Sequence, residues 1–439
     1  MTAPVRTDAY APQSGDASWD ALAYDLDLVY RVRTNRLHGT ATITARARED
    51  LTAVRLDLVG LRVERVEVDG VRVRGVRQGP RSVRVALPAE VLSGDAFTVR
   101  VTYAGAPAPR RSRWGSIGWE ELTDGALVAG QPTGAPTWFP CNDRPDARAP
   151  MRMSVTTDAE YTVVATGTPA PVERAGGLRT WRFRCDEPVA TYLAAVHIGR
   201  YAQSAVGGRP AGGSAVPVSL AVPVAHRAAA ERAFGEVPGI LALFAQSFGP
   251  YPQAACALVV TDDELEIPLE AQGLAVFGAN HLAPEHARLI AHELAHQWFG
   301  NSVGVAAWRD IWLNEGFACY AEWLWSERSG GPSADDCARS HHARLAALPQ
   351  DLLLTDPGPD LMFDDRVYKR GALTLHALRL TVGDDAFFGL LRAWTGENRH
   401  ALVDTADFRD LVERRLGAAS TVLSPWLDAP ALPALPPRR

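Results

Sequence analysis

From Ala21 to Tyr103 apolar side chains recur at every second position, a pattern that suits a strand with one buried face and excludes an amphipathic helix. In AYDLDLVYRV, Tyr24, Leu26, Leu28, Tyr30 and Val32 fall on one side, with Asp25, Asp27 and Arg31 on the other. AVRLDLVGLRVERVEVDG, RSVRVALP and AFTVRVTY continue the pattern between Gly and Pro turns, which predicts an antiparallel sheet open to water on one face. A second strand-rich block, Met151 to Ala202, follows the TWFPCNDRPDARAP connection. The character changes after SAVGGRPAGGSAVP, and beyond His286 most of the chain reads as helix, with CALVVT and LAVFGA as strands before it. The expected organisation is an extension over 1–20, an all-β domain over 21–206, a mainly helical α+β domain over 207–428 and a loose tail over 429–439.

With 439 residues the chain is long enough for more than one core, and 47% hydrophobic against 22% charged residues marks a folded, soluble protein. A net charge of -6 and the lack of a basic block argue against a nucleic-acid partner. Five scattered cysteines without a CxxC pair argue against a disulfide scaffold or a cysteine zinc site. No run is apolar enough to span a bilayer, and MTAPVRTDAYAPQSGDASWD lacks the apolar core of a secretory signal. The expectation is a cytoplasmic protein with no membrane partner.

The run ARLIAHELAHQWFG places two imidazoles and a carboxylate on a segment otherwise built for burial. Pro284 lies near its start and Gly300 is a plausible stop. Four residues separate His292 from His296, so both rings leave one helix face, one turn apart. In this HExxH pattern the imidazoles can ligate zinc, while Glu293 can reach a water at the metal. A catalytic zinc takes a third protein ligand, and RDIWLNEGFACYAEWLW offers Glu315 near the start of a second helix. Glu322, seven residues on, either holds a histidine's second nitrogen or is a surface carboxylate.

HELAHQWFGNSV followed by WLNEGFACY resembles the M1 family of zinc aminopeptidases, gluzincins related to alanyl aminopeptidase and leukotriene A4 hydrolase. Eighteen residues, Gln297 to Asn314, lie between His296 and Glu315, as in that family's signature. The resemblance implies one zinc on His292, His296 and Glu315, with Glu293 as general base; Asn301 and Trp308 also match. RVYKRGALTLHAL places Tyr368 on the family's tyrosine, which stabilises the tetrahedral intermediate. EIPLEAQGLAVFG places Glu270 on the glutamate that binds a free amine, but Ile267 replaces that motif's glycine and Ala271 its asparagine. TWFPCNDRPDAR resembles the family's WFPCxDEP stretch, with Gln131 on the place of an upstream substrate-pocket glutamate; Cys141 reads as a small buried residue.

The fold implied is a saddle-like β-domain followed by a thermolysin-like zinc domain, in a short form without the family's large C-terminal helical domain and so with a more open cleft. The activity implied is removal of N-terminal residues from peptides with a free amine. The rivals are a zinc endopeptidase, an epoxide hydrolase, and a noncatalytic zinc-stabilised peptide-binding protein. Residue preference and oligomeric state are not written in the sequence.

Overall fold

A computed structural model describes residues 7–207 and 216–437. Most of the glycine-rich stretch expected to join the two halves, 208–215, lies outside the described residues, as do residues 1–6.

The period-two segments form strands. Trp19–Arg31 pairs antiparallel with Arg36–Ala47, setting Tyr24 opposite Ile43 and Leu26 opposite Ala41. Tyr24, Leu26, Leu28 and Tyr30 are all buried. One expectation changes: the sheet is mixed. Its other central neighbour, Arg148–Asp158, runs parallel to Trp19–Arg31, with Leu26 opposite Met153. A parallel neighbour needs a long crossover, and here more than a hundred residues of other strands supply it, which local alternation cannot reveal. Two smaller sheets complete the β-rich half. Aromatic rings tie the large sheet to its neighbours: Tyr30 meets Trp119 at 4.8 Å between centroids, and Tyr24 meets Phe139 at 5.7 Å. Gly39 makes room for its cross-strand partner Tyr103, since a Cβ there would lie 2.4 Å from Cζ of that ring, whose hydroxyl donates to the Trp138 carbonyl at 2.9 Å.

Cys141 is fully buried, as read from the sequence, and exchanges backbone hydrogen bonds with Asp57. Two residues on, Asp143 accepts from the Thr191 hydroxyl at 2.7 Å, and its backbone N–H donates to Asp57 at 3.0 Å. Burial, then repulsion from Asp57, pushes the Asp143 carboxyl up to about 7, against the Thr191 hydrogen bond and the distant Arg110 and Arg81. The sign follows from linkage. Below pH ~4 the group is protonated in both folded and unfolded chains; between ~4 and about 7 only the folded chain keeps the proton, so stability falls as pH rises. Asp143→Asn should therefore melt progressively higher relative to the wild type across that window. Melting curves at pH 4.5 and 7.5 check this; a constant difference between the two proteins contradicts it.

The second half opens on a five-stranded sheet in the spatial order Tyr201–Ala205, Val218–Pro223, Cys256–Val260, Leu274–Phe277, Leu269–Ala271. Its inner strands are parallel, and Leu269–Ala271 folds back antiparallel as the edge. The helices follow: α1 (Arg227–Ala233), α2 (Val237–Phe248), α3 (Ala287–Ala295), α4 (Trp312–Arg328), α5 (Ala334–Ala346), α6 (Asp365–Val382), α7 (Asp384–Glu397), α8 (Thr405–Leu416) and α9 (Leu423–Leu427). A β-rich half thus precedes a mainly helical one. No helix among the described residues is long and apolar enough to cross a membrane.

Both ends of the described chain are anchored. The Asp8 carboxylate accepts from the Trp308 N–H at 2.9 Å, and the Tyr10 hydroxyl accepts from Gly358 N–H at 2.7 Å. Gly15 N–H donates to Asp57 at 2.7 Å, so this segment touches both halves. The tail read as loose is held too. Arg370 donates to the carbonyls of Trp426, Ala429 and Pro430, and Leu432 N–H donates to Gln350 at 2.8 Å. A buried guanidinium needs several acceptors, and these late carbonyls supply them.

Candidate metal centre and active site

The helix carrying the two histidines was expected to run to Gly300. It ends at Ala295 instead. Gln297 and Trp298 donate to the carbonyls three residues back, and Gly300, at φ 106, reverses the chain. The early stop has a chemical consequence: it frees the Phe299 carbonyl to turn back and lie 3.0 Å from Nδ1 of His296. A carbonyl can only accept, so Nδ1 carries the proton and Nε2 of a neutral ring is left with its lone pair. His292 is held the same way, with Nδ1 2.8 Å from the Glu322 carboxylate. This resolves the two readings of Glu322. It is buried rather than on the surface, and its other oxygen takes Arg288 at 3.0 Å.

Both Nε2 atoms face Glu315 on α4. They lie 3.4 Å (His292) and 3.5 Å (His296) from the same carboxylate oxygen. Zinc bonds of about 2.0–2.2 Å in tetrahedral geometry place ligand atoms roughly 3.3–3.6 Å apart. The three residues, each 8% exposed or less, present ligand atoms at the spacing that fits that ion. Burial penalises the charge on Glu315, but His296 and the hydrogen bonds from His292 and His296 outweigh it and hold the carboxyl at about 2. Against the same burial, the carboxylates draw protons onto His292, to about 10, and His296, to about 9. The negative field that holds those protons is the one a divalent cation would answer.

Helices α4 and α6 cross in near backbone contact. A Cβ on Gly316 would lie 2.7 Å from Cα of Gly371, and the reverse distance is also 2.7 Å. Any side chain at either position would force the helices apart. The close crossing brings Tyr368, one turn before Gly371, to the metal helix, where its ring stacks on His292 with centroids 6.0 Å apart at 18°. Burial, then the charges of Glu315, Glu270 and Glu293, raise the Tyr368 hydroxyl well above its ordinary value, so it stays a hydrogen-bond donor.

Glu293 and Glu270 face each other beside the histidines. A carboxylate oxygen of each, with a ring nitrogen of His296, all lie within 4.8 Å of one another. Burial pushes Glu293 up to about 8, against the pull of His292 and His296 and with repulsion from Glu270 and Glu315, and burial raises Glu270 also. Glu270 projects from the edge strand Leu269–Ala271. No lysine or arginine pairs with it among the described residues. Ile267, three residues upstream, is 62% exposed.

Gln131 comes from the other half of the molecule. Its neighbour Gly130 packs on the Tyr192 carbonyl, and the next carbonyl, Leu193, accepts from Gln272 N–H at 3.0 Å, beside the Glu270 strand. The Gln131 amide nitrogen is buried without a protein partner. The structure therefore brings His292, Glu293, His296, Glu315, Glu270 and Tyr368 together, with Gln131 on the adjoining loop. The sequence did not point to Arg148, whose guanidinium donates to the carbonyls of Asn301 and Ser302 just after the metal helix. On a strand, an arginine reads as a solvated position, and only tertiary structure shows otherwise.

Two domain patterns together account for most of the chain: the Peptidase M1 N-terminal domain over residues 20–193 and the Peptidase family M1 domain over 233–426. The chain belongs to the M1 peptidase family. An M1 zinc metallopeptidase of Deinococcus radiodurans, solved as a point mutant bound to a Tyr-Ser-Ala substrate, is 33% identical and superimposes with a TM-score of 0.91 over 98% of this chain and 99% of that one. Aminopeptidase M1-A of Oryza sativa subsp. japonica is 27% identical over 71% of this chain, and aminopeptidase N of Lactococcus lactis subsp. lactis is 27% identical over 68%. This M1 chain spans 37% and 38% of the length of those two relatives. Yeast LTA4 hydrolase, 20% identical with a TM-score of 0.80 over 95% of this chain and 69% of its own, shares the M1 fold.

Proposed function

We propose that this M1 protein is a zinc-dependent aminopeptidase that removes the N-terminal residue of peptides bearing a free amine. The observation that carries the reading is Glu270: a partly buried carboxylate, unpaired with any lysine or arginine among the described residues, beside a three-ligand metal centre. Two carboxylates this close repel each other, and an ammonium group is the cation that relieves them.

His292, His296 and Glu315 are the residues to hold zinc, oriented by Phe299 and Glu322. When bound, zinc supplies Lewis acidity, which polarises a carbonyl and lowers the pKa of water. Glu293 takes the proton of the attacking water and returns it to the departing amine. The Tyr368 hydroxyl donates to the oxygen on which charge develops. Glu270 fixes the α-ammonium, so that the first peptide bond is the one presented to Glu293. Gln131, from the β-rich half, offers its amide to the substrate backbone.

Removing the amine anchor tests this reading. Glu270→Ala should lower kcat/KM for a free-amine tripeptide by about 10- to 100-fold, as expected for a partly desolvated ion pair, and leave little difference from the N-acetylated copy. An unchanged preference for the free amine in this variant would remove Glu270 from the role.

A further inference from the structure

The family motif around Glu270 has an asparagine where this chain has Ala271, so the 271 side chain has no amide with which to fix the hairpin. The grip lies elsewhere. The Ala271 carbonyl accepts two hydrogen bonds from the segment just after the metal helix: Gln297 Nε2 at 3.1 Å and Asn301 Nδ2 at 2.8 Å. Gln297 Oε1 then accepts from Gly273 N–H at 2.9 Å, so one buried amide spans the hairpin turn. Gln297 and Asn301 are both fully buried. A terminal strand pairs on one side only, and Leu269–Ala271 meets Leu274–Phe277 there. Its register relative to the metal must be set by something on its other side.

We infer that Gln297 and Asn301 are positioning residues for amine recognition: they clamp the Ala271 carbonyl and Gly273 N–H, and so fix Glu270 at its distance from His296 and Glu293. Neither touches the reacting atoms. Gln297 follows the ligand His296 directly, and Asn301 N–H donates to the His296 carbonyl at 3.0 Å. The metal ligand and the amine anchor are therefore registered by one short stretch of backbone. Ala271 suffices because the contact is made by the backbone of 271. Ala271→Asn would leave both hydrogen bonds in place.

This inference rests on the aminopeptidase reading, and one set of kinetics separates the two. Gln297→Leu and Asn301→Ala are assayed with a free-amine tripeptide and its N-acetylated copy, alongside zinc content and melting temperature. The clamp predicts that each variant keeps its zinc, and that KM for the free-amine peptide rises by about 10-fold, a loss typical of removing an orienting partner. It also predicts that kcat falls less than KM rises, and that the preference over the acetylated peptide shrinks. Asn301→Ser, which keeps a shorter donor, should recover part of the loss, and carries the comparison if Gln297→Leu does not fold. Unchanged KM and selectivity in the folded variants overturn the clamp while leaving Glu270 its role. A wild-type enzyme without amine preference overturns the aminopeptidase reading itself.

Discussion

Glu293→Gln is expected to lower turnover by about two to four orders of magnitude while the protein keeps one zinc and its fold. The carboxylate sits between the histidines in sequence, yet it is absent from the ligand set formed by His292, His296 and Glu315. It faces Glu270 instead, on the side where substrate would lie. Glutamine preserves the shape and the buried contacts but cannot accept and return a proton. Zinc content by elemental analysis, measured on the same sample as kcat, separates the base from a ligand. Turnover within a few-fold of the wild type would require another base.

The second large effect is expected from Glu315→Ala. Three ligands is the least a catalytic zinc uses, and this one is shared between both histidines through a single oxygen. Removing it should weaken zinc binding by more than about 100-fold, beyond what losing an outer partner costs, and abolish activity at limiting metal. His292→Ala should do the same, and it would also leave the buried Glu322 carboxylate without its histidine. Equilibrium dialysis against zinc gives the answer. Full occupancy in either variant would mean that the ion sits elsewhere.

The candidate ligands were legible because their spacing is short-range physics: an i, i+4 pair on one helix and an acidic residue at the start of the next. The alternating strands were legible for the same reason, since period two is written locally. The missed features depend on residues far apart in the chain. The parallel pairing of Trp19–Arg31 with Arg148–Asp158 needs a long crossover. The anchoring of 429–433 depends on the Arg370 side chain and on Gln350 and His342. Glu322 had two readings that periodicity could not separate, and the Nδ1 contact with His292 separates them. Gln297 lies within the run that reads as one helix up to Gly300. Only the early end of α3 turns it toward the hairpin that carries Glu270.

In the proposed reaction the Glu270 carboxylate, beside the candidate metal centre, selects a free N-terminus despite Ile267 and Ala271 in the altered motif. Mass spectrometry of products from the wild-type, zinc-loaded protein tests it, using a library of free-amine peptides beside N-acetylated copies. The predicted result is stepwise loss of single residues from the free-amine peptides and little or no cleavage of the acetylated ones. Equal cleavage of both sets at internal bonds would contradict the claim and make the protein an endopeptidase.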